Sequence, residues 1–128
     1  MEQTSAGPDT GRQVLGRWGE DLAAAHLTGM GMVLLARNWR CPHGELDVVA
    51  RDRDGTIVFV EVKTRSSAAF GEPSEAVGHR KATKVRQLAC CWLQQCRPPG
   101  RGDLRFDVVS IVRRRGFAPE LTHLQAAF

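Results

Sequence analysis

Apolar residues recur at two different periods along this chain, and each change of period marks an element. From Gly11 to about Gly29, Val14, Trp18, Leu22 and Ala25 return at helical spacing, and Gly29 and Gly31 supply a stop, so this stretch is expected to be an amphipathic helix burying that stripe. Met32 to Arg40 is apolar and then mixed, as in a first strand; Glu45 to Arg51 alternates as a second; Thr56 to Thr64 is the clearest strand of all. Between the last two stands Asp54-Gly55, a strong hairpin signal. Ser66 to Gly78 carries Gly, Pro and Ser and is expected to be a loop. Ala82, Val85, Leu88, Ala89, Trp92, Leu93 and Cys96 then form a second helical stripe, ended by Pro98-Pro99-Gly100. Leu104 to Val112 returns as a largely apolar strand, and the residues after Arg113-Arg114-Arg115 carry pattern enough for at most one short edge strand.

The order helix, three strands, helix, strand implies an α/β layer structure. The hairpin strands are expected to be antiparallel, and the last strand to return through a right-handed crossover beside one of them, in the sheet interior because it is so apolar. With 128 residues the chain suits one core rather than two, so a single domain over residues 11–128 is expected behind a flexible N-terminal tail, 1–10.

Composition adds a direction. The net charge is +4, and 15 of the 18 basic residues are arginine, whose planar fork suits phosphate oxygens; a polyanionic partner is favoured. No apolar run approaches membrane-spanning length, and Met1 to Thr10 lacks the charged start and apolar stretch of a secretory signal, so a cytoplasmic protein with no membrane partner is expected. Cysteines at 41, 90, 91 and 96 include two neighbours that rarely bridge, which fits a reduced compartment. Cys41-Pro42-His43 invites a zinc reading, but the other thiols fall on one helix without a second close ligand pair, and small core or loop cysteines explain them better.

The hairpin permits a test of geometry. If Arg53-Asp54-Gly55 is a three-residue loop with Gly55 at the left-handed position, Asp52 faces Thr56, Asp47 stands opposite Glu61 and Glu45 opposite Lys63, all four of the latter on one sheet face. A two-residue loop would pair Asp47 with Val62 and turn its carboxylate away. On the third strand Ile57 and Phe59 share a face with Glu61 and Lys63, so apolar character gives way to charge along one face, as at the rim of a cleft. Two opposed carboxylates and a lysine there can hold a divalent cation and steer water at a phosphodiester. An ordinary exposed Glu-x-Lys pair with an aspartate across from it is the plainer alternative.

Gly19-Glu20, Gly44-Glu45-Leu46-Asp47, Phe59-Val60-Glu61-Val62-Lys63-Thr64-Arg65, Phe70-Gly71-Glu72-Pro73 and Glu75-Ala76-Val77 closely resemble the YraN-like family of uncharacterised bacterial proteins, from about Leu15 to Ile111. That family is similar to archaeal Holliday junction resolvases and to the restriction-endonuclease-like PD-(D/E)xK nucleases. The resemblance implies a restriction-endonuclease-like αβββαβ core, with a mixed central sheet flanked by helices, and metal-dependent phosphodiester cleavage. It carries the motif carboxylates and lysine to Asp47, Glu61 and Lys63 and the helix glutamate to Glu20; the prolines of the motif's name do not carry over, since Leu46 precedes Asp47. Asp47 and Glu61 would then bind Mg²⁺ or Mn²⁺ with the Val62 carbonyl and waters, Glu20 would complete the site directly or through water, and Lys63 would orient the attacking water and offset charge on the phosphate. Asp47→Ala is expected to abolish turnover while barely altering stability.

For the substrate, Arg80, Lys81, Lys84 and Arg86 crowd the start of the second helix, where cations face the positive end of the helix dipole and repel one another; an external anion would relieve that conflict. With Thr64, Arg65 and Ser66 they are the candidate phosphate contacts. No aromatic-interleaved stacking surface stands out, since there is no tyrosine and Trp18 and Trp92 fall on apolar stripes, so recognition of duplex or branched DNA by shape is favoured. The expected function is a metal-dependent DNA endonuclease acting on branched or damaged structures, alone or as a homodimer. The alternative is a non-catalytic nucleic-acid-binding protein that keeps the nuclease fold, and a third reading is a structural salt-bridge cluster in a protein-interaction module.

Overall fold

The computed structural model describes residues 11–66, 78–100 and 102–128. The N-terminal tail, most of the Ser66–Gly78 loop, and the Phe70-Gly71-Glu72-Pro73 and Glu75-Ala76-Val77 motifs lie outside the described residues. Seven elements follow in chain order: α1 (Gly11–Gly29), β1 (Val33–Cys41), β2 (Gly44–Arg51), β3 (Ile57–Arg65), α2 (His79–Cys96), β4 (Leu104–Val112) and β5 (Glu120–Leu124). The strands form one mixed sheet in the order β1-β2-β3-β4-β5. Pairing is antiparallel except between β3 and β4, which run parallel on either side of α2 in the chain. This is the expected αβββαβ core of an α/β protein, with β4 interior and β5 as the short edge strand.

The two helices cover opposite faces. Ala23 and Leu27 of α1 pack with Val48, Ala50, Val58, Val60, Val109 and Ile111, while Val85, Leu88, Ala89 and Trp92 of α2 pack with Leu46, Val49, Ile57, Phe59 and Phe106. Because strand side chains alternate, the continuous apolar runs of β3 and β4 feed both layers. Phe59 stacks on Phe106 with ring centroids 5.3 Å apart and meets Trp92 edge-on at 5.9 Å, which fixes α2 against the sheet.

The α1 stripe differs from the one the periodicity predicts. Val14 is 48% exposed and Ala25 is exposed, Trp18 and Leu22 are half-buried, and the buried line runs through Gly19, Ala23, Ala24 and Leu27. Small residues were chosen over large ones here because the helix approaches β3 closely: a Cβ on Gly19 would run into Thr64 Oγ1, with the Thr64 Cβ only 2.8 Å away.

The β2–β3 hairpin has the expected register. The Asp52 N–H donates to Thr56 O at 2.8 Å, the Gly55 N–H donates to Asp52 O at 3.0 Å, and Gly55 has φ +91°, so Arg53-Asp54-Gly55 is the three-residue loop. Arg51 pairs with Ile57 and the ladder continues to Val48 and Val60, where it ends. Carried one residue further, the register sets Asp47 level with Glu61. The expected pairing of Glu45 with Lys63 does not form, because the strands are no longer bonded there; Glu45 instead accepts from Arg40 Nε at 2.6 Å across the β1–β2 hairpin. The face alternation also slips at this point, Leu46 packing on the α2 side and Val48, two residues on, packing on the α1 side. Asp47 stands at that slip rather than on a continuous face with Glu45, Glu61 and Lys63, which corrects the simple counting.

Candidate functional site

Where the β2–β3 ladder ends, the next N–H of β3 that points toward β2 would lose its backbone acceptor. The Asp47 carboxylate takes that place, its Oδ2 accepting from the Val62 N–H at 2.9 Å. Glu61, one residue earlier on β3, is only 5% exposed and carries the charged end of the face that begins with Ile57 and Phe59. A carboxylate so buried needs partners. Lys63 Nζ lies 3.7 Å from Glu61 Oε2, and Lys81 Nζ of α2 lies closer, at 3.1 Å.

These neighbours perturb Asp47 strongly. Burial raises its pKa first, the Glu61 charge next and Glu20 also, while the Val62 N–H and Lys81 pull it back only in part, leaving it at about 7. The Glu20 charge reaches it from α1, where the Gly19–Thr64 approach draws the helix onto the end of β3.

The cleft follows from that approach. Its volume is about 640 Å³, and Glu20, Val62, Lys63, Thr64, Arg65 and Ser66 line it together with Gly11, Leu15 and Gly16 of α1. Gly11 and Gly16 keep part of the α1 wall free of side chain. A second hollow of about 410 Å³ adjoins across α1, where Glu20 meets Glu45, Arg17 and Arg40.

The other candidate contacts divide. Thr64, Arg65 and Ser66 lie on the cleft wall, although the Thr64 side chain faces Gly19. Arg80 is exposed on the first turn of α2. Lys81 remains exposed but reaches the buried Glu61, so part of the charge conflict at the α2 N-terminus is relieved by an anion of the protein itself rather than by an external one. Lys84 packs by its stem against Gly44, and the Arg86 guanidinium lies 4.5 Å over the Phe106 ring. The structure brings together Glu20, Asp47, Glu61, Val62 and Lys63, and adds Lys81 to them. Only the unusual run of four cations on one helix end hinted at that addition.

A divalent cation can be weighed against this donor set. Two carboxylates and the Val62 carbonyl offer the hard oxygen ligands that Mg²⁺ and Mn²⁺ prefer, and of the causes that raise Asp47, burial first and then the Glu61 charge, the second is a conflict such an ion would relieve. Among the described residues no group of three or more His, Cys, Asp or Glu side chains is arranged to hold a metal ion, so any ion here would need waters and the backbone to complete its shell. The described cysteines are all free thiols. No described helix is long and apolar enough to cross a membrane.

A second polar cluster lies outside the cleft and escaped the sequence reading. Asp107 on β4 is fully buried, accepts from Arg105 Nε at 2.9 Å and Nη2 at 3.0 Å, from the Ala126 N–H at 3.0 Å, and lies 2.8 Å from His123 Nε2. His123 Nδ1 is 3.0 Å from His26 Nε2 of α1, and Arg105 Nη1 reaches Asp52 at 3.1 Å. This network ties β5, the C-terminal residues and the hairpin loop to β4. An aspartate inside an apolar run, flanked at i−2 by arginine, was the available signal.

The model of the uncharacterised protein family UPF0102 matches residues 19–111. A UPF0102 protein of Acidothermus cellulolyticus is 48% identical over 96% of this chain and 99% of its own length, and one of Nocardia farcinica is 49% identical over 91% of each. These matches bear out the YraN-like resemblance drawn from the motifs. Among solved structures, a repair endonuclease from Pyrococcus abyssi superposes with a TM-score of 0.44 at 15% identity, covering 88% of this chain, which spans 42% of that chain's length.

Proposed function

Because the chain belongs to the uncharacterised protein family UPF0102, whose description leaves the activity open, we propose that it is a metal-dependent endonuclease hydrolysing phosphodiester bonds in DNA, branched or damaged structures among them. The observation that carries this reading is the meeting of Asp47, Glu61 and Lys63 about the Val62 peptide, with Val62 and Lys63 themselves lining a cleft beside Arg65. A purely binding surface has no need of a buried glutamate beside a second carboxylate with a pKa of about 7, since both repel the phosphates it would hold.

Asp47, Glu61 and the Val62 carbonyl are the groups that would hold Mg²⁺ or Mn²⁺, with Glu20 acting directly or through water. The chemistry supplied there by a bound ion would be hydroxide accessible near neutral pH and neutralisation of charge on a phosphate. The remaining work falls to side chains. Lys63, a point charge 3.7 Å from Glu61, donates to the attacking water and to a non-bridging phosphate oxygen as charge builds on it. The Asp47–Val62 bond holds one carboxylate in place without side-chain rearrangement. Arg65 and Ser66 lie where the strand beyond the scissile bond would leave the cleft, and Arg80 and Lys84 offer further charge on α2.

A second reading, a non-catalytic nucleic-acid-binding protein on the same fold, draws on one observation: the Lys81 ammonium already neutralises Glu61 at 3.1 Å, as it would in a site that had ceased to bind metal. The experiment that separates the two offers the purified protein a labelled linear duplex, single strand, flap, four-way junction and structured RNA, with Mn²⁺ or Mg²⁺ and with Asp47→Asn in parallel. Cation-dependent cutting lost in the variant supports the nuclease. Binding without cutting under every condition supports the second reading.

A further inference from the structure

The turn between β4 and β5 reads Arg113-Arg114-Arg115-Gly116-Phe117-Ala118-Pro119. It stands against the open end of the cleft. The Arg113 N–H donates to the Arg65 carbonyl at 2.8 Å, so the loop is bonded to β3 where that strand leaves the site. Arg113 and Arg115 line a hollow of about 280 Å³ with Gly11, Leu15 and Ser66, and those last three residues also line the main cleft, so the two spaces are continuous.

Phe117 sits at the tip of this loop and is 75% exposed, the most exposed of the large hydrophobic side chains among the described residues. Its N–H donates to Arg114 O at 3.1 Å, closing a tight turn that presents the ring outward from a defined backbone. A single exposed apolar residue ordinarily needs no explanation. This one is two residues from Arg115 on the wall of the adjoining hollow and follows a run of three guanidinium groups, of which Arg114 is paired with Glu120 at 3.7 Å and Arg113 lies over the Trp18 ring, while Arg115 faces the hollow. An apolar protein surface would meet that charge unfavourably, whereas a nucleic acid offers both partners at once, phosphates for the arginines and a π-face for the ring.

We infer that Phe117 is a stacking platform for an unpaired nucleobase, with Arg113 and Arg115 holding the phosphates that lead from that base into the cleft. The inference rests on the nuclease reading and narrows its substrate to nucleic acid with an unpaired base beside a duplex, as at a bulge or flap. Paired bases keep their faces covered by their neighbours and gain nothing from the ring. An unpaired base gains a stacking partner, worth about tenfold in affinity.

The test uses the full chain without divalent cations, so that binding is read apart from cleavage, and two duplexes carrying 2-aminopurine, one with that base unpaired and one with it paired. The wild-type protein should bind the unpaired form about tenfold more tightly and quench its fluorescence on binding. Phe117→Trp should keep both effects. Phe117→Ala should abolish the quench and bring the two affinities to within about twofold of each other, with the thermal midpoint unmoved because the side chain is exposed. If Phe117→Ala keeps the preference and the quench, or if the wild type binds both duplexes alike, the stacking role is wrong while the nuclease reading stands on its own cleavage assay. If the wild type binds neither duplex, the stacking role falls as well, and the cleavage assay alone decides the nuclease reading.

Discussion

The Val62 N–H donates to the Asp47 carboxylate at 2.9 Å where the β2–β3 ladder has just run out. One hydrogen bond thus does two things. It satisfies a backbone donor that the diverging strands would orphan, and it sets a carboxylate beside Glu61 in spite of the repulsion between them. Burial first, and that repulsion next, raise the Asp47 pKa to about 7.

Stability should therefore carry the mark of this site. The folded-state pKa of Asp47 lies above the ordinary 3.8, so the folded protein keeps a proton that the unfolded chain gives up, and stability declines as pH rises from about 4 to about 7. Asp47→Asn keeps an acceptor for the Val62 N–H and removes the charge. It should be more stable than wild type above pH 7 by on the order of 2 kcal/mol, a discounted conversion of the shift since the group reaches solvent, and no more stable near pH 4. Urea unfolding at the two pH values measures this. Cleavage should be lost in the same variant, which makes a folding defect an inadequate explanation. The plainer substitution, Asp47→Ala, orphans the Val62 N–H and is no longer expected to be neutral.

Mn²⁺ should raise the thermal midpoint of the wild type and leave that of Asp47→Asn unmoved, because only the former offers two charged oxygen ligands. Lys81→Gln should increase the Mn²⁺ response, since the ammonium 3.1 Å from Glu61 competes with the ion for the same oxygen. A smaller response in Lys81→Gln would show that Lys81 supports the site rather than opposing the cation.

Gly19 is where α1 and β3 come together, and an alanine there should cost about 1–3 kcal/mol by overpacking against Thr64. Thr64→Ala in the same chain removes Oγ1 and Cγ2 and should recover part of that loss. Because Glu20 follows Gly19 directly, activity of Gly19→Ala should fall more than its remaining folded fraction accounts for.

The buried Asp107 cluster should dominate acid behaviour. Burial pushes its carboxyl up, but the bonds from His123, Arg105 and the Ala126 N–H outweigh that and hold it below the usual range, so its contribution is present above pH 3.8 and is lost as pH falls through the folded value. Asp107→Ala leaves Arg105 and His123 without their anion and should cost about 3–5 kcal/mol. His26 is held below 6.5 by burial and then by His123, so stability should also fall as pH drops below 6.5. Asp47→Asn, which removes the opposite trend, is the background in which to see it, and His26→Gln should flatten that limb.

What the chain by itself determined was everything governed by neighbours in sequence. The bounds of β4 and a hairpin turn at Asp54-Gly55 follow from a period of two residues and from turn chemistry, both local, whereas the choice of a three-residue loop over a two-residue one, and with it the register, was made by the folded hairpin. The residue types at Asp47, Glu61 and Lys63 were legible for the same reason, as was the α2 stripe through Val85, Leu88 and Trp92. Tertiary structure decided the rest. The buried face of α1 rotated to Gly19 and Ala23 because closeness to the sheet mattered more there than side-chain size, and no count along one helix contains the shape of its partner. Lys81 on Glu61, and Asp107 among Arg105, His123 and the Ala126 N–H, depend on elements that meet only after folding. In a low-dielectric interior a charge is tolerable only beside its partner, so the packing of whole elements, rather than the pattern within any one, chose which charges would be buried together.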